Sequence, residues 1–157
     1  MVHIRLYTPA DRPQIEACVV QLQDYEGRLD RYCPPGEQIA EAYVSDLLDK
    51  CARQRGKIYV AEAQGKVIGF IGLVIEQEND VTTSLREFSY ITDVVVLPEF
   101  RGQGIGATLM AKADAYARES GYSALAVNVL ANNDAALSLY QKMGFRHYVV
   151  LMLKELE

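Results

Sequence analysis

Histidine, cysteine and positive charge are scarce in this 157-residue chain, and each scarcity removes a class of function. The two histidines, His3 and His147, stand too far apart in sequence to suggest a metal centre, and no metal is expected. Cys18, Cys33 and Cys51 are odd in number and lack metal-ligand spacing, so they read as reduced thiols. Lys and Arg number 16 against 21 Asp and Glu, a net charge of -5. That balance argues against a nucleic-acid partner, since phosphate backbones need clustered Lys and Arg. It is compatible with a cationic small-molecule substrate. No apolar run approaches the roughly 18 residues of a membrane span, so no membrane partner is expected. Residues 1–9 lack a signal-peptide pattern, which leaves a cytoplasmic location as the expectation. Repeats, linkers and low-complexity tracts are missing too.

What remains reads as one domain over residues 1–157, long enough to bury roughly 68–70% of the surface of the unfolded chain. Val2, Ile4 and Leu6 alternate with His3 and Arg5, which predicts a half-buried strand. Thr8, Pro9 and Asp11 supply cap and first-turn residues for a helix to about Asp24. A charged loop ends in Pro34-Pro35-Gly36 and leads to a second helix, about Glu37 to Gln54, with Ile39, Tyr43, Leu47 and Cys51 spaced by four. Strands over Ile58–Ala63 and Val67–Glu76 form a hairpin at Gln64-Gly65-Lys66. Then come a strand over Phe88–Leu97, a helix over Ala107–Glu119 and a strand over Tyr122–Val129. A short helix over Asn133–Met143, ended by Gly144, precedes a last apolar strand over Phe145–Leu153. This order predicts a mixed α/β (α+β) fold whose later strands form a right-handed, parallel βαβ unit. Ligands of such units sit beyond the carboxyl ends of the strands.

The segment Val94 to Gly106 carries the most chemistry. Pro98 ends a β-branched run, because proline has no N–H for a ladder. Gly102, Gly104 and Gly106 then strip side chains from the start of a helix, where free backbone N–H groups favour anions, and Arg101 adds a positive charge. A P-loop would need a lysine and a hydroxyl that are missing here. The bare dinucleotide pattern is met by Gly102, Gly104 and Ala107, but Pro98 to Arg101 intervene and no acidic residue follows for a ribose. A ligand-free tight turn stays open, although each glycine carries an entropic cost.

Arg101-x-x-Gly104-x-Gly106, preceded by Val96-x-Pro98, resembles the acetyl-CoA-binding motif of the GCN5-related N-acetyltransferases, the GNAT superfamily. A second stretch, Asn133-x-x-Ala136-x-x-Leu139-Tyr140-x-Lys142-x-Gly144-Phe145, is also similar to that family, and element order matches along nearly the whole chain. The resemblance implies a central, mostly antiparallel sheet with a splayed parallel pair, flanked by helices. It implies acetyl-CoA as co-substrate. Its diphosphate would lie on the amides of Arg101, Gly102, Gln103, Gly104, Ile105, Gly106 and Ala107. Its pantetheine arm would pair with backbone near Val94 and Val96, with Asn133 and Ala136 on the other side. The backbone N–H near Val95 or Val96 would hold an oxyanion. Tyr140 would protonate the leaving thiolate, against the alternative of a core aromatic. Where relatives often carry a glutamate base, this chain has Thr92. Asp93 is adjacent, but alternation points it to the other face unless a bulge intervenes. Glu87, Glu76 or a water chain are further routes for the proton.

For the acceptor, the resemblance points to the first helix and the loop after it, with Asp24, Tyr25 and Glu26 as candidates beside Thr92. Carboxylates among aromatics suit an ammonium group, and the same loop is also readable as a solvated charged segment. The expected activity is acetyl transfer to a primary amine of a small molecule by direct attack in a ternary complex. A protein N-terminus or lysine is the second acceptor class, and a non-catalytic acyl-CoA-binding module is the other alternative. A homodimer is implied as well, with no decisive patch in the sequence.

Overall fold

Nine consecutive buried residues, Val67 to Ile75, mark the centre of the computed structural model, which describes residues 1–156. They belong to β3 (Lys66–Gln77), and a strand apolar on both faces is one covered on both faces. It lies between β2 (Lys57–Ala63) and β4 (Glu87–Val96), antiparallel to both. β1 (Val2–Leu6) extends the sheet antiparallel beyond β2, and β5 (Leu125–Val127) extends it parallel beyond β4. The strand order is β1-β2-β3-β4-β5, the mixed sheet that the sequence predicts.

Two helical layers cover it. α1 (Arg12–Glu26) and α2 (Gly36–Arg53) seat Ile15, Cys18, Val19, Val44 and Leu47 against Val60 and Phe70. On the other face α3 (Ile105–Glu119) brings Ile105, Leu109, Met110 and Ala113 onto Ile71, Leu73 and Ile91. α4 (Asp134–Lys142) joins that layer through Tyr140.

Local chemistry explains the joints. Gln64 and Gly65 have φ of 52° and 75°, two positive values in a two-residue hairpin turn that matches strand twist. Asp11 accepts from Thr8 N–H at 2.7 Å and takes both arms of the Arg5 guanidinium at 2.8 Å, which fixes β1 to the start of α1. Gly144, with φ 89°, ends α4 as expected.

Two expectations need correction. β5 is shorter than the predicted Tyr122–Val129, because only Leu125–Val127 runs beside β4 before the two strands diverge. The strand expected over Phe145–Leu153 does not form in the single chain. After Phe145 N–H bonds the Tyr140 carbonyl, residues 146–156 adopt neither helix nor strand, and Tyr148 to Leu153 are 64–95% exposed. An apolar run specifies burial, but a strand also needs a neighbour for its backbone groups, and this run finds none in its own chain.

Candidate active site

Construction of the site begins with one extra residue. Gly72 of β3 pairs with Asp93 and Leu73 with Ile91, so Thr92 is bulged out of the ladder. The bulge reverses which side chains face which layer. Ile91 packs toward α3, yet beyond Thr92 it is Val94 and Val96 that pack there, while Val95 faces α1 and α2. Asp93 goes with Val95. Its Oδ1 accepts from the Tyr43 hydroxyl of α2 at 2.7 Å. The condition set by the sequence, a bulge beside Asp93, is met. Gly72 makes the bulge possible, because a Cβ there would collide with Thr92 Oγ1.

Backbone direction reverses at the same point. Ser89 N–H reaches Ala124 O, leading into β5, at 3.1 Å, whereas Leu97 N–H reaches Ile68 O of β3 at 2.9 Å. Alternation therefore turns the Val94 and Val96 peptide groups away from β3, toward a neighbour that is no longer there, since β5 pairs only with Ser89 to Ile91. The parallel pair splays, and a cleft of about 650 Å³ opens between β4 and the segment Val127–Val129 with α4.

Donors crowd one end of the cleft. Gly102 and Gly104 adopt φ of 75° and 77°, a left-handed conformation costing residues with a Cβ roughly 1–2 kcal/mol. Thr108 N–H makes the first bond of α3, to Gly104 O at 3.0 Å. The amides from Ile105 to Ala107 are thus left without a carbonyl one turn back, at the positive end of the helix dipole. Arg101 sits beside them, its Nε donating to Val96 O at 2.9 Å and its guanidinium 5.7 Å from the Tyr25 ring centre. Convergent main-chain donors, an arginine and an unpaired strand edge are what a diphosphate followed by an amide-bearing arm requires, so the residues present fit coenzyme A. Asn133 caps α4, its Oδ1 accepting from Ala136 N–H at 3.2 Å and from the Tyr25 hydroxyl at 3.4 Å.

Acids and phenols occupy the other end, where Glu26, Tyr43, Asp93 and Tyr140 line the same space. Burial holds the Asp93 carboxyl above the usual carboxylate range, against the opposing pull of the Tyr43 hydroxyl. Its Oδ2 is buried with no hydrogen-bond partner among the described residues. Burial, then the Asp93 charge, raises the Glu26 carboxyl as well. The Tyr140 phenol is pushed up to about 12, chiefly by burial and then by the charges of Glu26 and Asp93.

Every site residue named from the sequence lines this cleft except Asp24, Gln103, Glu76 and Glu87; Glu87 instead pairs with Arg55 at 2.9 Å and Glu76 accepts from Gln54 at 3.5 Å. Asp24 is corrected to a structural role, since its Oδ1 accepts the Gly36 N–H at 2.8 Å and ties the end of α1 to the start of α2. The Gln103 side chain borders a separate groove near residues 1–2. Tyr25, expected beside the acceptor, stands at the end where the main-chain donors lie, with Arg101 and Arg28 both against its ring. The sequence marks Tyr43 only as one of four residues spaced by four along the second helix. Its signal was a hydroxyl within an otherwise apolar stripe, a group that needs a buried partner.

Residues 22–145 match the family described as Acetyltransferase (GNAT) family. The chain belongs to that family. An uncharacterised N-acetyltransferase of Methanocaldococcus jannaschii is 30% identical over 127 residues, 81% of this chain and 54% of that protein. Glucosamine 6-phosphate N-acetyltransferase of Trypanosoma brucei brucei is 28% identical over 116 residues, 72% of this chain and 73% of its own. The chain spans about half the length of the first curated relatives it matches. Among solved structures, AAC(6')-Iy in complex with the bisubstrate analogue CoA-S-monomethyl-acetylneamine superposes with a TM-score of 0.73 at 18% identity, covering 100% of this chain and 99% of that one. This GNAT chain therefore shares that fold.

Proposed function

We propose that this GNAT protein is an acetyl-CoA-dependent N-acetyltransferase that acts on a primary amine of a small molecule, by direct attack within a ternary complex. The observation that supports the reading is the polarity of one continuous cleft, with main-chain donors and Arg101 at one end and Glu26, Asp93 and two phenols at the other. Acetyl-CoA supplies the thioester. The amides around Gly104 hold its diphosphate, and the Val94 peptide and the Val96 C=O pair with the arm that follows. Alternation commits the Val95 N–H to β3, which leaves Val96 N–H, of the two expected donors, to stabilise the developing oxyanion.

Glu26 and Asp93 draw the acceptor's ammonium into the acidic end, and this carboxylate pair takes its proton. Asp93 is held by Tyr43, so Glu26, half-buried at the last turn of α1, presents the more accessible oxygens. Tyr140 gives its proton to the departing thiolate. A small amine is supported by the names of a relative and a structural neighbour, one acting on glucosamine 6-phosphate and one bound to a neamine-containing analogue. Cytoplasm is the proposed location and a homodimer the proposed assembly. Among the described residues no helix is long and apolar enough to cross a membrane.

The test is release of coenzyme A thiol from acetyl-CoA across a panel of small amines, amino acids and peptides. Turnover on small amines is expected. Turnover confined to peptides would move the acceptor to proteins, and tight binding with no turnover on any acceptor would leave a binding module.

A further inference from the structure

One carboxylate in the cleft is both deeply buried and thinly supported. Asp93 is 7% exposed, and among the described residues a single hydrogen bond reaches it, from the Tyr43 hydroxyl to Oδ1 at 2.7 Å. Oδ2 has no partner there, and the neighbouring Thr92 hydroxyl makes no hydrogen bond either. A buried charge held in this way depends on its one donor, because burial alone favours the neutral acid. Tyr43 remains a donor, since burial and then the Asp93 charge hold its phenol above the usual range. Its ring packs on the core between α1, α2 and the sheet, and its hydroxyl contacts Asp93 alone among the described residues.

The charged and titratable groups around Asp93 come from several elements. Glu26 stands on α1, Lys50 and Cys51 on α2, Tyr90 on β4 and Tyr140 on α4. β3 offers only Gly72 at this point, where a Cβ would stand 3.7 Å from Oδ2. The two phenols and the Cys51 thiol are each pushed up, chiefly by burial, and stay neutral near pH 7. Lys50 is exposed and reaches Asp46 at 4.0 Å. Glu26 is therefore the group that answers to Asp93, its carboxyl raised by burial and then by the like charge. An ionised Asp93 thus attracts an ammonium and strengthens Glu26 as a proton acceptor.

We propose that Tyr43 is a positioning residue for acetyl transfer: its hydroxyl fixes Asp93 in the ionised form, and through that charge sets how the acceptor's ammonium is held and how readily Glu26 takes its proton. This role rests on the acetyl-transfer reading of the cleft. Tyr43 acts through Asp93 rather than on the reacting atoms.

Thiol release from acetyl-CoA, followed against amine concentration and pH, tests it in Tyr43→Phe, Asp93→Asn and the double variant. Tyr43→Phe keeps the ring in the core and should raise the acceptor KM about tenfold, the loss expected with one charge-assisted hydrogen bond. Its acid limb should move to lower pH, because Glu26 loses a neighbouring charge. Coenzyme A should bind it as tightly as before by calorimetry. Asp93→Asn should raise the same KM at least as much, and in that background Tyr43→Phe should add less than about twofold. A Tyr43→Phe effect that persists in full beside Asp93→Asn would overturn the role, as would an acid limb that stays in place. A Tyr43→Phe protein that fails to fold should be rescued by Asp93→Asn, which removes the stranded charge, and no rescue would also count against the role. An Asp93→Asn effect with none from Tyr43→Phe would refute this role alone. An acceptor KM that Asp93→Asn leaves unchanged would refute the acidic end as the acceptor's site as well.

Discussion

Replacing Tyr140 with phenylalanine removes one oxygen from the cleft and leaves nearly everything else in place. The residue is 8% exposed and its ring packs on Phe145, contacts that phenylalanine keeps. Among the described residues no group hydrogen-bonds to its hydroxyl, so the change strands no partner, and stability should move by no more than about 0.5 kcal/mol. With its phenol near 12, Tyr140 carries its proton throughout the neutral range. A positioned general acid contributes about 10²–10⁴-fold, so Tyr140→Phe should lower kcat by about 10²-fold, or ~2.7 kcal/mol of barrier. The affinity for coenzyme A should hold, because the amides around Gly104 are untouched. Thiol release from acetyl-CoA with a saturating amine measures the first quantity, and calorimetric titration with coenzyme A measures the second. The unaltered enzyme should also show no alkaline loss of rate from this group below about pH 11. A variant turning over within twofold of the unaltered enzyme would remove Tyr140 from the chemistry and return it to the core.

The proposed mechanism uses Glu26 in its deprotonated form, so the rate should fall as pH drops through a pKa raised above that of an ordinary glutamate. Glu26→Gln should lower turnover and flatten that acid limb, and an unchanged limb would assign the proton elsewhere. Asp11→Asn should cost about 2 kcal/mol at neutral pH, since the Arg5 guanidinium holds the carboxyl down to about 2. Because the folded value is the depressed one, this stability is complete above the unfolded pKa near 3.9 and is lost as pH falls through about 2. Urea midpoints of the two proteins should therefore converge in strong acid, and a gap that persists there would count against the ion pair as its source. Gly72→Ala should destabilise the fold by about 1–3 kcal/mol through the collision with Thr92 Oγ1, and adding Thr92→Ala should recover most of it. Additive losses in the double variant, read by chemical denaturation, would show that the clash lies elsewhere.

Features that depend on neighbouring residues in the chain were legible in the sequence. The hairpin at Gln64-Gly65 follows from two residues that tolerate positive φ, and the glycine turn follows from Gly102 and Gly104 alone. Features that depend on a second strand or helix were not. Whether Asp93 faces α2 and the cleft is decided by how β4 pairs with β3, which no pattern within β4 records. Asp24 and Glu26 look alike as loop acids. One is consumed by the Gly36 N–H and the other left in the cleft, a difference set by where α2 begins. The run after Gly144 is the limiting case. Its composition states that it must be covered, and nothing local states by what.

The Thr92 bulge accounts for both halves of the cleft at once. In a regular β4, Asp93 and Val95 would share the side of Ile91, with the carboxylate driven among Leu109 and Met110 and no Tyr43 to meet it. The peptides facing β5 would then be those of Asp93 and Val95. One added residue instead places valines against α3, the acid against α2 and the Val94 and Val96 peptides toward the gap. The proposed cofactor edge and the proposed acceptor acid are thus set by a single register change, and their spacing along β4 is fixed by backbone geometry rather than by side-chain rotamers. A bulge also increases local twist, which turns β4 away from β5 just where their pairing stops at Ile91. The same residue that sets the direction of Asp93 and of the Val94 and Val96 peptides therefore helps to open the cleft between them and β5.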